Sequence, residues 1–166
     1  MTEFDLRDNY LYSAGWPIDN TSLEDVIYRV IAIIGSSKFL YDNFRDDSYL
    51  FDRMKEIEIA KLSELLIVIA IICRSLIDSS VDKSITGKDE IVGTITINGI
   101  DKLLTFRESC NKIIHARNIN FDIEESQSIR AGFLNHFIYL YGNMGDNEWR
   151  AAIDLIKFCK QAGCVM

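Results

Sequence analysis

A chain of 166 residues is long enough for one domain with a buried core, and 48% hydrophobic and 26% charged residues are ordinary for a globular protein. The net charge of -7 excludes the broad basic surface that nonspecific nucleic-acid binding needs, but it allows a small basic cleft. The longest apolar run, 65–73, is far shorter than the roughly 20 residues of a membrane span, so we expect a cytoplasmic protein with no membrane contact.

The first half of the chain predicts a polar N-terminal coil and two long helices. The coil covers 1–20 and is expected to wrap over the body. Ser22 can cap a first helix that ends near Phe44, because apolar residues recur at helical spacing from Leu23 onward. A second and longest helix is predicted over about Tyr49–Ser79. Because only a short turn joins them, the two helices are expected to be antiparallel neighbours and to form the scaffold.

The second half of the chain mixes strand and helix signals. Asn-Gly at 98–99, between isoleucine-rich runs, predicts a β-hairpin with strands at about Ile91–Ile97 and Ile100–Leu104. Four further elements are predicted in chain order: a motif helix at 105–117, strands at about 118–123 and 135–141, and a last helix at about 148–161. The predicted fold class is therefore α+β and mainly helical, with a small antiparallel sheet, in a single domain spanning 1–166.

Candidate functional residues cluster in the motif helix, 105–117, which reads TFRESCNKIIHAR. Side chains three, four or seven positions apart share a helix face, so Glu108, Asn111 and His115 line one stripe. Lys112 adds a supporting cation in the same segment. His115 carries an imidazole, which is suited to proton transfer near neutral pH. A histidine beside an asparagine on a half-buried helix is also a common structural arrangement, so both interpretations stay open.

Arg74 is a further candidate, because it follows nine apolar residues in the second helix and lies four residues before Asp78. One interpretation is a local ion pair at the end of that helix. The other is that Arg74 points into the same polar pocket as His115. A buried guanidinium keeps its charge and therefore needs an acidic or phosphate partner.

The cysteines and histidines predict no metal site and no cofactor. The four cysteines follow no metal or redox spacing, and Cys73 and Cys110 lie among apolar residues, which is typical of core positions in a reduced protein. His136 is expected on a strand face, far in sequence from the other histidine. Nucleotide-loop and serine-nucleophile motifs are absent from the sequence.

The run CNKIIHA at 110–116, on a helix that follows a long arginine-containing helix, resembles the signature helix of the HEPN superfamily. Its members are small, mostly helical domains, often homodimeric, and many are metal-independent ribonucleases of bacterial toxin–antitoxin and phage-defence systems. The family pattern is an arginine, a polar residue, a few variable residues and a histidine, and Asn111 and His115 match the polar residue and the histidine. Cys110 stands at the usual arginine position, so Arg107, one turn earlier, is the expected replacement.

The resemblance implies cleavage of RNA by attack of the 2′-hydroxyl on the adjacent phosphate. His115 would be the general base or acid, and Asn111 would orient it or the phosphate. Arg107 or Arg74 would stabilise the charge of the phosphorane. Glu108 would hold Arg107 or raise the pKa of His115.

The resemblance also implies the partners. Two copies of the motif helix 105–117 would face each other in a homodimer. A cognate antitoxin or a defence partner protein would bind to this protein. The competing hypothesis is a non-catalytic HEPN-like module for dimerisation, or for binding a partner protein or a nucleotide, in which Asn111 and His115 are structural. The acidic balance and Cys110 favour the module, whereas the retained asparagine and histidine favour the ribonuclease. The predicted sheet would be an addition to the helical core of the family.

Overall fold

The structure, a computed structural model, describes residues 20–79, 87–125, 132–145 and 147–165. The helices are α1 (Asn20–Phe44), α2 (Ser48–Ser79), α3 (Phe106–His115) and α4 (Leu155–Cys164). The strands are β1 (Ile91–Ile97), β2 (Ile100–Thr105), β3 (Asn118–Glu125), β4 (Gly132–Met144) and β5 (Asn147–Asp154). The predicted α+β class, with more helix than strand, is confirmed. Apart from Asn20, which begins α1, the expected coil at 1–20 lies outside the described residues.

The long helices α1 and α2 are antiparallel neighbours, as predicted. Tyr41 packs its ring edge against Phe51 beside the connecting turn, with ring centroids 5.9 Å apart. Farther from the turn, Ser37 of α1 contacts Glu58 of α2. An earlier residue of α1 therefore contacts a later residue of α2, as expected of antiparallel helices. Within the described ranges, neither these helices nor the shorter ones are long and apolar enough to cross a membrane.

Ser37 ties the helix pair to the sheet. Its side chain is buried, and its hydroxyl donates to Glu58 over 3.0 Å while accepting from the backbone N–H of Leu134 in β4 over 3.0 Å. Burial raises the pKa of Glu58, although the Ser37 hydrogen bond and the charge of Lys55 oppose that rise. Ionisation of Glu58 therefore lowers the stability of the folded state.

We expect Glu58→Gln to gain stability relative to the wild type as the pH rises from about 4 to 7. At low pH Glu58 is protonated in both the folded and the unfolded protein. Because its folded pKa is raised, ionisation at higher pH costs the folded state stability, and glutamine has no such cost. Urea unfolding across this pH range measures the difference, with Glu56→Gln on the exposed side of α2 as the control. A difference that does not change with pH would contradict a raised pKa.

The sheet is larger than the small sheet predicted, because a fifth strand, β5, joins the hairpin to β4. Its five strands are antiparallel in the order β2-β1-β5-β4-β3, so β1 pairs with β2 on one side and with β5 on the other. The predicted hairpin turn is confirmed: Asn98 and Gly99 both have positive φ, 51° and 78°. This conformation is typical of the tight hairpin turn that Asn-Gly favours.

The prediction of one helix over 148–161 is wrong in its first half, which is strand β5. Trp149, Ala151 and Ile153 are buried in alternation, the period of a strand, and β5 lies between β1 and β4. Asp154 then ends the strand and caps α4, since its carboxylate accepts from two backbone N–H groups of the first turn over 3.0 and 3.1 Å. The predicted helix depended on the apolar stripe of Ala152, Leu155, Ile156 and Cys159, of which the last three do lie in α4. Pairing of the first half on both sides decides for the strand.

The two faces of the sheet differ in burial. One face carries the apolar residues of the core cluster, including Ile95, Leu140 and Ala151 in one cross-strand row. The opposite face, here called the outer face, carries Tyr141 paired with Arg150. The tyrosine is half-buried and the arginine is exposed, so both lie on the side opposite to the core.

Candidate functional site

The motif helix α3 begins at a capping box. The Thr105 hydroxyl accepts from the backbone N–H of Glu108 over 3.3 Å, and the Glu108 carboxylate accepts from the backbone N–H of Thr105 over 3.2 Å. The box satisfies two N–H groups that a helix start leaves without partners. Glu108 is therefore bound to Thr105, and the expected hold on Arg107 is not formed.

One side of α3 lines a surface cleft of about 290 Å³, here called the helix cleft. Its lining residues are Glu108, Asn111, Lys112, His115, Asn143, Met144 and Trp149. The predicted stripe thus forms one surface, with Lys112 as a member, and the exposed His115 lies at the end of α3. An imidazole, an ammonium and a side-chain amide meet in this cleft.

The other side of α3 is buried, and it includes the position where the HEPN pattern has an arginine. Cys110 is fully buried and packs in the core cluster with Phe106 and Ile113. The prediction that Cys73 and Cys110 are core residues is confirmed. Burial raises the pKa of both thiols, that of Cys73 to about 12, so they are neutral and unreactive at neutral pH. An arginine at position 110 would face this core and not the helix cleft.

Arg74 reaches the helix cleft through Asn111. Its Nη1 donates to Asn111 Oδ1, and its Nε donates to the carboxylate of Asp78. The other oxygen of Asp78 accepts from Arg107 over 2.9 Å. The local ion pair is therefore formed, and Arg74 also contacts Asn111 of the polar stripe. Neither Arg74 nor Arg107 lines the helix cleft itself, so Arg74 acts on it through Asn111 and Arg107 only through the shared carboxylate.

The shared carboxylate keeps both arginines in place. Burial by itself would raise the pKa of Asp78, but the hydrogen bonds and charges of Arg74 and Arg107 outweigh burial and lower it. Asp78 is therefore ionised at neutral pH. Two guanidinium charges against one carboxylate leave one net positive charge beside Asn111, which favours an anion there, whereas the Glu108 carboxylate in the lining of the cleft opposes one.

Lys112, the lysine that lines the helix cleft, is held by an aromatic ring. Its ammonium lies 4.4 Å from the ring centroid of Trp149, at the distance of a cation–π contact. Burial lowers the pKa of Lys112, and the charge of Glu108 opposes this. The indole in turn needs the glycine opposite it in β4, because a Cβ at Gly142 would lie 2.3 Å from the ring.

Sequence reasoning missed three residues of the cleft: Asn143, Met144 and Trp149. The prediction put the first two in a turn and the third in the last helix. They lie instead at the adjoining ends of β4 and β5. An alternating strand with a glycine placed opposite a tryptophan was the one signal that could have indicated them.

The other histidine takes no part in the helix cleft. His136 is half-buried in β4 with its ring centroid 4.5 Å from that of Phe137, as expected of a strand residue. Among the described residues, no group of three or more His, Cys, Asp or Glu side chains is arranged to hold a metal ion. His115 is the histidine that lines the helix cleft.

Comparison with protein-family models, curated proteins and solved structures finds no match to this chain. The resemblance of α3 to the HEPN signature helix therefore stays a prediction. The groups that the helix cleft brings together, and the charge beside it, are the features of this protein that indicate a function.

Proposed function

We propose that this protein is a metal-independent ribonuclease whose active site is the helix cleft. The observation that carries this proposal is the hydrogen bond from Arg74 to Asn111, because it joins a fixed positive charge to the cleft of His115 and Lys112. These cations can bind a phosphodiester, and the imidazole can move a proton near neutral pH.

In the proposed reaction the 2′-oxygen of one nucleotide attacks the adjacent phosphorus while the bond from phosphorus to the 5′-oxygen breaks. The products are a 2′,3′-cyclic phosphate and a 5′-hydroxyl. His115 removes the proton of the 2′-hydroxyl or donates one to the leaving 5′-oxygen. Lys112 stabilises the charge that builds up on the phosphoryl oxygens, and Asn111, oriented by Arg74, hydrogen-bonds to one of them.

The resemblance to HEPN proteins extends the proposal to partners. A homodimer with the two α3 helices facing each other would bring a second imidazole to the site, so that one His115 acts as base and the other as acid. Such an interface would be polar, since Arg107, Glu108 and His115 are exposed on α3. We place the protein in the reducing cytoplasm, in a toxin or phage-defence system with a cognate antitoxin or defence partner protein.

Cleavage of a mixed RNA pool in EDTA tests this function. The wild type is expected to cleave, and His115→Ala is expected to lower the rate about 10²–10⁴-fold, the usual contribution of a general acid or base. His136→Ala is the matched control, because it removes the other histidine, which does not line the helix cleft. EDTA removes divalent cations, so the assay reports metal-independent cleavage.

A wild type that is folded and dimeric by light scattering, yet does not cleave, would contradict the proposal. It would favour the second candidate function, a non-catalytic module that dimerises or binds a partner. One observation supports that candidate: Glu108 is bound to Thr105, and Arg74 and Arg107 are both bound to Asp78. These polar groups therefore have partners within the protein before any ligand binds.

A further inference from the structure

A second cleft, of about 600 Å³, opens on the outer face of the sheet and is here called the sheet cleft. Its lining residues are Thr96, Asn98, Gly99, Tyr141, Glu148, Trp149 and Arg150. Trp149 lines both clefts, so the two adjoin at this residue. A volume of this size can hold a nucleotide.

Strand pairing brings three chemically distinct side chains together in the sheet cleft. Arg150 lies directly opposite Tyr141 of β4, at the distance where cross-strand side chains touch. Glu148 precedes Arg150 by two residues and therefore projects from the same face of β5. A phenol ring, a carboxylate and a guanidinium thus border one cavity.

The two charged groups are free to bind a ligand. Glu148 and Arg150 are exposed, and neither side chain has a hydrogen bond or an ion pair within the described part of the chain. The neighbouring polar side chains are already engaged: the Thr96 hydroxyl donates to Asp101 over 2.5 Å, and the Asn98 amide donates to Asn147 over 2.9 Å. A ligand of the sheet cleft would therefore be selected by Glu148, Arg150 and Tyr141.

We propose that the sheet cleft binds a guanine base of single-stranded RNA, next to the phosphodiester held in the helix cleft. This inference rests on the proposed ribonuclease function. The Glu148 carboxylate accepts from the N1–H and N2–H groups of guanine together. The pairing edges of adenine, cytosine and uracil place an acceptor beside each donor, so none of them offers two adjacent donors to a carboxylate.

The other two side chains suit the rest of a guanine nucleotide. Tyr141 stacks on the base, an interaction that aromatic side chains make with single-stranded nucleic acids. Arg150 binds the phosphate of the same nucleotide through its guanidinium. The acidic balance of the protein agrees with this mode, since recognition of one base by a carboxylate needs no broad basic surface.

Tryptophan fluorescence of Trp149, which lines the sheet cleft, is the measure of binding. The chain has two tryptophans, so a Trp16→Phe background leaves Trp149 as the emitter. The probes are GMP and five-nucleotide RNAs with a single G or a single A, each with a 2′-O-methyl group that prevents cleavage at the next phosphate. We expect the G-containing RNA to bind at least about tenfold more tightly than the A-containing RNA, the discrimination of one good base contact.

Glu148→Gln should abolish the preference for guanine and leave the affinity for the A-containing RNA unchanged, because the amide presents a donor where guanine also presents one. Glu24→Gln, which removes an exposed carboxylate that lines neither cleft, should bind like the wild type. Equal affinities for the two RNAs, or a preference that survives in Glu148→Gln, would overturn the guanine site. Tighter binding of GMP than of the RNA would overturn its place beside a phosphodiester.

The two proposals fail separately in this design. A guanine preference in a protein that does not cleave RNA supports the base site and contradicts the ribonuclease. Cleavage that has the same products in the wild type and in Glu148→Gln, without a guanine preference in binding, supports the ribonuclease and contradicts the base site.

Discussion

Arg74→Ala is expected to lower kcat/KM for RNA cleavage about 10²-fold, the loss that misplacement of a positioned group in an active site can cause. Arg107→Ala is expected to lower it by less than about tenfold. The difference arises because only Arg74 contacts Asn111, which lines the helix cleft, whereas the side chain of Arg107 binds Asp78. Initial rates on one RNA substrate in EDTA measure both losses.

The two variants are matched in the charge that they remove. Each takes one guanidinium from Asp78 and leaves the other, and each changes the net charge by the same amount. Arg74 is the more buried of the two and also donates to Asn111, so thermal unfolding should shift more in Arg74→Ala than in Arg107→Ala. Arg74→Lys keeps the charge but loses the planar fork that reaches Asp78 and Asn111 together, so its rate should lie between those of the wild type and Arg74→Ala.

Equal losses of activity in Arg74→Ala and Arg107→Ala would contradict the special place of Arg74. They would mean that the shared ion pair with Asp78 carries the effect and that the contact with Asn111 does not. A larger loss in Arg107→Ala would favour the original expectation from the HEPN pattern, in which Arg107 replaces the missing arginine.

Gly93→Ala is expected to destabilise the fold by about 3 kcal/mol or more, because the added methyl group would clash with backbone, which cannot move aside as a flexible side chain can. A Cβ at this position would lie 2.0 Å from the carbonyl oxygen of Ala152 in the neighbouring strand. Gly93 is opposite Ile153, where β1 pairs with β5. The added methyl group must therefore push apart the strands at the centre of the sheet.

Gly35→Ala is the control, since a Cβ there would meet nothing within 4 Å in the middle of α1. It should raise the free energy of unfolding by up to about 1 kcal/mol, because alanine favours the helix and restricts the unfolded chain. Urea unfolding of both variants provides the measurement. A loss of stability in Gly35→Ala, or an unchanged stability in Gly93→Ala, would contradict the packing described for these glycines.

Local signals were enough to predict most of the helices and the hairpin. The apolar spacing from Leu23 to Phe44 and over Tyr49–Ser79 predicted α1 and α2 within three residues of their ends. Asn-Gly at 98–99 predicted the hairpin, since few other dipeptides adopt positive φ at both turn positions. These patterns depend on interactions between residues close in sequence, so they can be recognised without knowledge of the tertiary structure.

The errors arose where a segment satisfied two periods at once. Residues 148–161 carry apolar side chains at both helix and strand spacing, and only pairing with β1 and β4 makes the first half a strand. That pairing also placed Trp149 in the cleft and added a fifth strand to the four that were predicted. Neither effect follows from the segment taken alone.

The sequence by itself determined the polar face of α3, because the period of a helix sets which side chains share a surface whatever surrounds them. Glu108, Asn111 and His115 accordingly line one cleft. Only the tertiary structure decided which arginine serves that cleft. Arg74 and Asn111 are 37 residues apart in the chain, and it is the packing of α2 against α3 that brings the guanidinium to the amide. Long-range contacts of this kind depend on the whole fold, and no local pattern contains them.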